Sequence, residues 1–513
     1  MSRKHIFIAF VVSIGGFLFG FDASVVSGVI KFIVPQFNLT DVQLGWVVSS
    51  PSFASMFAML LAGSLSDLMG RKRILLGVAF LYALSALLSA FATSYLMLVI
   101  ARMIGGAAFG AALVLAPVYI AEVSPAKSRG KLVSIQQLNI VLGFSAAYFC
   151  NYFLLKQVGV SQFINETNAW RWMLGIELVP AILYFFLLFM VPKSPRWLFT
   201  QKRDAEANEV LKSIYGAAEA KKESEVILNN LGQCETKSSL RFKDLLKPAL
   251  LYVMTIGIII GVLQQITGVN AIYFYATTIF EQSGVGSNAA FAQAIWIGII
   301  NVVFTLVAMF LIDKAGRKPL MLFGVAGVAI SMCVAGYGFS QATYKLTEAN
   351  ISAFSEDIEP SKLTSVLNKT YHSDVVFKND IKQALGSKIY AKHEGDILKS
   401  AINMNSILVL LAILGFVASF AISLGPVMWV LLSELFPNWV RGMAISVVGF
   451  INSLVSWGVQ FVFPIELANL GSAATFYIFG AFAVIGFLLL LKLLPETKGK
   501  SLEQIENDLV KNI

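Results

Sequence analysis

The chain has 513 residues, 57% hydrophobic and only 13% charged, with a net charge of +9 and a mean hydropathy of +0.74. Soluble domains run at roughly 45–50% apolar and about 25% charged, so the excess apolar surface excludes a water-soluble enzyme. The three cysteines (Cys150, Cys234, Cys333) give neither a disulfide framework nor a metal-binding spacing, and the three histidines fall near the start or in a polar stretch.

A membrane-crossing helix needs about 20 apolar residues. In chain order such runs fall at roughly 6–30, 44–66, 74–93, 95–122, 131–155 and 172–192, then at 248–276, 289–312, 319–340, 403–432, 441–464 and 471–493. The first run is long and interrupted by Gly, so it reads as a retained span and not as a signal peptide. The pattern predicts an all-α membrane protein with an N-terminal six-helix half (1–192), a cytoplasmic helical linker (193–247), a C-terminal half (248–493) and a tail (494–513). The polar stretch 341–402 reads as an insertion in an outer loop of the second half.

Basic residues gather on cytoplasmic loops. With both termini placed inside, 27 of the 39 Lys and Arg residues lie on that side, against three in the short outer loops. The +9 excess is therefore topological and predicts membrane lipid, not nucleic acid, as the surrounding partner. Position Asp67-Leu-Met-Gly-Arg71-Lys72 recurs as Asp313-Lys-Ala-Gly-Arg317-Lys318, and Glu122 precedes Arg129 by the same seven residues that separate Glu434 from Arg441. Paired halves of this kind are a transporter architecture, with substrate held between them near the midplane. No nucleotide loop, metal cluster or nucleophile constellation is visible, so neither enzymatic activity nor a cofactor is expected.

These paired loops, with Pro192-Lys-Ser-Pro-Arg-Trp-Leu198 and Pro495-Glu-Thr-Lys-Gly499 after the last helix of each half, resemble the sugar porters of the major facilitator superfamily. Within that family the chain is most similar to the bacterial D-xylose–proton symporters. Lys193 departs from the pattern, since the family usually carries Glu there. The resemblance implies a monomeric, proton-coupled importer of a monosaccharide or polyol, working by alternating access in the cell membrane, most simply a bacterial inner membrane. Facilitated uniport is the alternative, and a non-transporting sensor is disfavoured by the short tail.

Asp22 lies inside the first apolar run and Arg102 inside the fourth. Intramembrane charges mark functional sites by default, and helix geometry puts both about 10–12 Å below the outer surface. A proton switch and a permanent structural pair both fit. Gly16-x-x-x-Gly20 and Gly106-x-x-x-Gly110 offer close-packing faces on the same two helices. Glu177 matches an acid of the symporters and reads either as a proton-transfer partner or as a wet helix end.

Sugar recognition needs neutral donors and acceptors together with an aromatic face. Gln264, Gln265 and Asn270 flank Gly268, and Gly425-Pro426 precedes Trp429. Intramembrane amides also serve plain interhelical bonding. The resemblance implies sugar-binding roles for Gln137, Gln264, Gln265, Asn270, Asn301, Trp429 and Asn452, with Phe19 as a pocket aromatic. Asn452 stands where the xylose symporters have Gln, Ser453 where relatives often have Trp, and Phe274 where they have Tyr, so xylose does not carry over as the substrate. Asp67, Arg71, Glu122, Arg129, Asp313, Arg317, Glu434 and Arg441 sit at inner helix ends, where opposite charges are expected to latch the halves when the site faces outward.

Overall fold

The computed structural model describes residues 3–125, 128–234, 245, 248–351, 358–437, 440–498 and 504. Among them are 12 helical segments long and apolar enough to cross a membrane. Helices α1 (Arg3–Phe37), α2 (Asp41–Met69), α3 (Arg71–Ala90), α4 (Tyr95–Val123) and α5 (Arg129–Gln157) form the first five, and α6 (Ala169–Gly175) with α7 (Leu178–Phe189) the sixth. Short helices α8 (Pro195–Thr200), α9 (Asp204–Tyr215) and α10 (Ala217–Cys234) follow.

The second half opens with α11 (Pro248–Ile266), α12 (Val269–Phe274) and α13 (Ala276–Gln282), then α14 (Ser287–Ala315) and α15 (Arg317–Ser340). After an inserted unit come α19 (Ser406–Ile422) and α20 (Leu424–Leu435), then α21 (Arg441–Asn469) and α22 (Gly471–Leu493). An even number of crossings puts both ends of the bundle's chain on one side, called here the terminal side. The insertion lies on the far side.

Local chemistry fixes several boundaries. Thr40 and Gln43 form a reciprocal capping box at the start of α2, with Gln43 Oε1 accepting from the Thr40 N–H at 3.0 Å. The seventh span is not continuous as expected: Gly268 adopts φ +90°, a left-handed conformation, and separates α11 from α12. The tenth breaks at Ser423 (φ −127°, ψ −93°), just ahead of Gly425-Pro426, because Pro426 has no N–H to continue the ladder. The first helix is longer than the apolar run, continuing through Lys31 and Pro35 to Phe37. Asp22 consequently lies mid-helix, deeper than the run predicted.

The glycine motifs are used, though not between α1 and α4. A Cβ on Gly20 would come within 2.0 Å of the Ile140 carbonyl oxygen on α5. On Gly106 and Gly110 it would come within 2.2 Å of the Pro51 oxygen and 2.6 Å of the Ser55 oxygen, both on α2. These glycines therefore set the close α1–α5 and α4–α2 crossings.

The 341–402 stretch, expected only to be polar, contains a folded unit. Strands β1 (Thr343–Lys345), β2 (Thr370–Tyr371) and β3 (Ile402–Asn403) form an antiparallel sheet in the order β2-β1-β3, with Tyr344 opposite Tyr371. Helices α16 (Glu348–Ile351), α17 (Asp374–Leu385) and α18 (Ser387–Ala401) complete it, around a core that includes Tyr344, Phe377, Ile381, Tyr390 and Ile397. The unit docks on α22 through Asp374, whose Oδ2 accepts from the Ser472 N–H at 2.9 Å, and α18 packs on α1 and α13.

Candidate functional site

Hydrogen bonds join the two halves toward the far side. Ser52 Oγ on α2 donates to Gln460 Oε1 on α21 (2.9 Å), Tyr148 OH on α5 to the Tyr273 carbonyl (2.8 Å), and Thr277 Oγ1 to the Ser27 carbonyl (2.5 Å). Trp46 on α2 lies edge-on to Trp457 and Phe461 on α21. The bundle is closed on the far side.

In the first half, Arg102 Nη1 donates to Asp22 Oδ1 at 2.5 Å, with both side chains at 5% exposure or less. Arg102 Nε and Nη2 have no hydrogen-bond partner among the described residues. A buried pair is weak in net stability, but removing one partner strands a charge, so the geometry is poised to respond to neutralisation. Glu177 is buried where the α6–α7 junction bends, within electrostatic reach of Asp22 and Arg102. Tyr82 closes the group, its OH donating to the Gly15 carbonyl at 3.0 Å.

The amides expected to bind substrate divide in two. Gln264, Gln265, Asn270 and Asn452 form one network, with Asn452 Nδ2 donating to Gln264 Oε1 (2.9 Å) and Gln265 Nε2 to Asn452 Oδ1 (3.2 Å). Asn270 Nδ2 donates to both Gln265 Oε1 (2.8 Å) and Ser456 Oγ (2.6 Å). Gln264 Nε2 also reaches the Leu424 carbonyl at the break in the tenth span (2.9 Å). The α12 and α20 breaks thus let amides of the seventh and eleventh spans converge. Gln137 is half-buried on α5 and Asn301 buried on α14; among the described residues no hydrogen bond ties either to this network. Trp429 is 45% exposed beside Gly449.

Phe19 belongs to an aromatic group. Its ring lies 4.8 Å from Phe109 and 6.1 Å from Phe144, and Phe144 lies 4.8 Å from Tyr273. Sequence reasoning missed Phe144, Tyr273, Ser456 and Gln460. For the last two a signal existed: Asn452, Ser456 and Gln460 recur every four residues, which places them on one face of α21. Phe144 carries no such signal, because a Phe in an apolar helix reads as packing.

The ion pairs seen at the terminal side lie within each half. Arg71 meets Asp67 (2.8 Å) and Glu122 (3.1 Å), while Arg317 meets Glu434 (2.9 Å). Ser194 Oγ donates to Glu122 and Thr497 Oγ1 to Glu434, so the two halves build the same device from Pro-x-Ser and Pro-x-Thr. Arg129 is exposed at the start of α5, and Arg441 Nε donates to the Phe436 carbonyl at 3.1 Å. The side chain of Asp313 lies outside the described residues. The halves differ in charge at the residue after the proline of Pro-x-Ser and Pro-x-Thr. Glu496 accepts from the N–H groups of Arg317 and Lys318 at the start of α15 (3.2 and 3.1 Å). Its counterpart Lys193 is turned to Glu206 instead (2.8 Å).

Twelve spans, a broken seventh and tenth helix, amides at the breaks and a buried ion pair in the first half define a membrane transporter of polar solutes. The sequence profile of the sugar (and other) transporter family matches residues 8–354 and 384–509, and the chain belongs to that family. The gap between the two matched stretches falls inside the 341–402 insertion. The arabinose-proton symporter of Bacillus subtilis (strain 168) is 34% identical over 511 residues, spanning 99% of this chain and 96% of that protein. The D-xylose-proton symporter of Escherichia coli (strain K12) is 32% identical over 541 residues, 98% and 96% of the two chains. The xylose transporter XylE from E. coli, in a partially occluded inward open conformation, superposes with a TM-score of 0.74 at 31% identity, covering 98% of this chain and 100% of that one.

Proposed function

We propose that this transporter moves a monosaccharide or related polyol together with a proton. The observation that carries the reading is the Asp22–Arg102 pair, sealed from solvent at 2.5 Å in the middle of α1. Protonation of Asp22 neutralises the carboxylate bonded to Arg102, so the guanidinium must find a new partner; burial makes that choice consequential. Sugar hydroxyls bind to Gln264, Gln265, Asn270 and Asn452, with Gln137, Asn301 and Trp429 joining as the halves close around the ring. Phe19 presents an aromatic face to its C–H side. The names of the arabinose and D-xylose symporters support a sugar and a proton as the pair carried.

The terminal side faces the cytoplasm of a bacterial cell, as its Lys and Arg excess favours, and the protein works as a monomer in lipid. The divisions at 192, 247 and 493 separate the two rocking halves, the linker and the tail. The inner pairs latch the halves when the site faces outward; in the inward arrangement each pair stays within its own half.

The test is uptake into proteoliposomes of a panel of pentoses, hexoses and inositols, with and without an imposed pH gradient. Accumulation above the outside concentration, accompanied by alkalinisation of the medium, is expected for one or more of them. Equal distribution under both conditions would make the protein a uniporter with a structural Asp22.

A further inference from the structure

We infer that Ser456 and Gln460 are positioning residues that couple occupancy of the amide site to the closed seam between the halves. The inference rests on the amides being the sugar site. Six hydrogen bonds run without interruption from that site to the opposite half: Gln264 to Asn452, Asn452 to Gln265, Gln265 to Asn270, Asn270 to Ser456 (2.6 Å), Ser456 to Gln460 (2.9 Å), and Gln460 to Ser52 of α2 (2.9 Å). Gln460 is fully buried, and both ends of its amide are committed, Nε2 to Ser456 and Oε1 to Ser52. It is a polar bridge set in an apolar seam formed by Trp46, Phe53, Trp457 and Phe461.

The direction of coupling follows from donor counting. Asn270 has two amide hydrogens, and both are used, one on Gln265 Oε1 and one on Ser456 Oγ. A sugar hydroxyl that accepts from Asn270 must take one of them. If it takes the bond to Ser456, Ser456 Oγ is left with a single donor, Gln460 Nε2, and accepts from it more strongly. The Gln460 amide is polarised by that bond, so its Oε1 holds Ser52 more tightly and the bond between the halves strengthens as the site fills. In a low-dielectric seam neighbouring bonds reinforce one another, so the change propagates along the chain and does not stop at Asn270.

The experiment places spin labels at Asn38 and Leu470, in the far-side connections of the two halves, and follows their distance distribution with and without sugar. The probe is arabinose, D-xylose or D-glucose, whichever the wild type transports. Gln460→Met keeps the volume and removes the bridge, and one buried hydrogen bond corresponds to about a 2- to 12-fold rise in the far-open population. Sugar is expected to lower that population in the wild type and to leave it unmoved in Gln460→Met. Ser52→Ala, a small change on a helix, should act in the same direction, and the double variant should go no further than either single one.

An unchanged distribution in both variants, or a sugar response in Gln460→Met equal to the wild type, would overturn the coupling. Equilibrium binding in detergent separates this from failure of the site itself. Gln460→Met should still bind the sugar, whereas Asn270→Ala should bind it about 5- to 150-fold more weakly. Wild-type binding by Asn270→Ala would remove the amide site, and the coupling with it.

Discussion

Replacing Asp22 by Asn tests the transport mechanism most directly. The shape is kept, and the Asn oxygen still accepts from Arg102 Nη1, but the position no longer takes up a proton. One protonatable carboxylate per cycle moves one proton per sugar. Each pH unit of gradient is worth about 1.4 kcal/mol, or about tenfold in accumulation. Wild-type proteoliposomes with one unit of gradient should therefore concentrate sugar about tenfold. Participation of Glu177 as a second carrier would raise this to about a hundredfold. Asp22→Asn should equilibrate sugar at a ratio near one while still exchanging labelled for unlabelled sugar, because exchange does not require the empty carrier to reorient. The same substitution leaves Arg102 without its counter-charge at 1% exposure, which corresponds to a loss of about 3–5 kcal/mol in stability. Arg102→Gln added to Asp22→Asn should restore thermal stability without restoring accumulation. Uphill accumulation by Asp22→Asn would refute the reasoning outright. Recovery of accumulation in the double variant would refute the part that makes Asp22 the proton carrier.

Asn270→Ala removes a donor that feeds two acceptors and should raise the sugar dissociation constant by about 5- to 150-fold, from about 1–3 kcal/mol of lost bonding; equilibrium binding measures it. Lys193→Glu gives α3 the N-terminal carboxylate that Glu496 gives α15, and should stabilise by about 0.3–1 kcal/mol in thermal unfolding; a loss of stability would show that the Glu206 contact matters more. In the inserted unit, the Lys369 ammonium and Tyr371 hydroxyl hold the Asp380 carboxyl below its ordinary range. Its contribution is therefore present above the unfolded carboxylate value, about 3.9, and is lost as pH falls through the lower folded one. Amide-exchange protection in 369–380, relative to the intrinsic rate at each pH, should fall in that acid window and stay constant between pH 6 and 8. Gly106→Leu should prevent assembly, because Pro51 backbone stands where its side chain would go; folded, active protein would contradict the α2–α4 crossing.

Much of the architecture was legible because a bilayer imposes it. Spans announce themselves by apolar length, and loops by their lysines and arginines, without reference to partners. The Asp22–Arg102 pair was legible for the same reason, since two isolated charges in apolar helices have few ways to be satisfied. Its depth was not, because the apolar run ends before the helix does: Lys31 and Pro35 stay helical in α1. Partner choice was equally hidden. Gly20 and Gly106 signal close packing, but a small-residue stripe does not say which backbone will fill it, and here α5 and α2 do.

The same limit explains the divided substrate site. Gln264, Gln265 and Asn270 lie within seven residues, so one broken helix brings them together, and Asn452 joins because α21 packs on α11 and α12. Gln137 belongs to α5 in the opposite half, and Asn301 to α14, which packs on α5 and α19; no local rule announces where either helix sits relative to that cluster. A closed far side with self-satisfied amides suits a transporter between substrates: the side chains of Gln264, Gln265, Asn270 and Asn452 bond one another and the Leu424 carbonyl. Sugar binding at these amides, as proposed, is then an exchange of internal bonds for bonds to sugar. That exchange gives little net affinity, and it changes which helices are tied together. In this chain the ties run through α21, the helix whose polar face carries Asn452, Ser456 and Gln460 from the substrate to the seam.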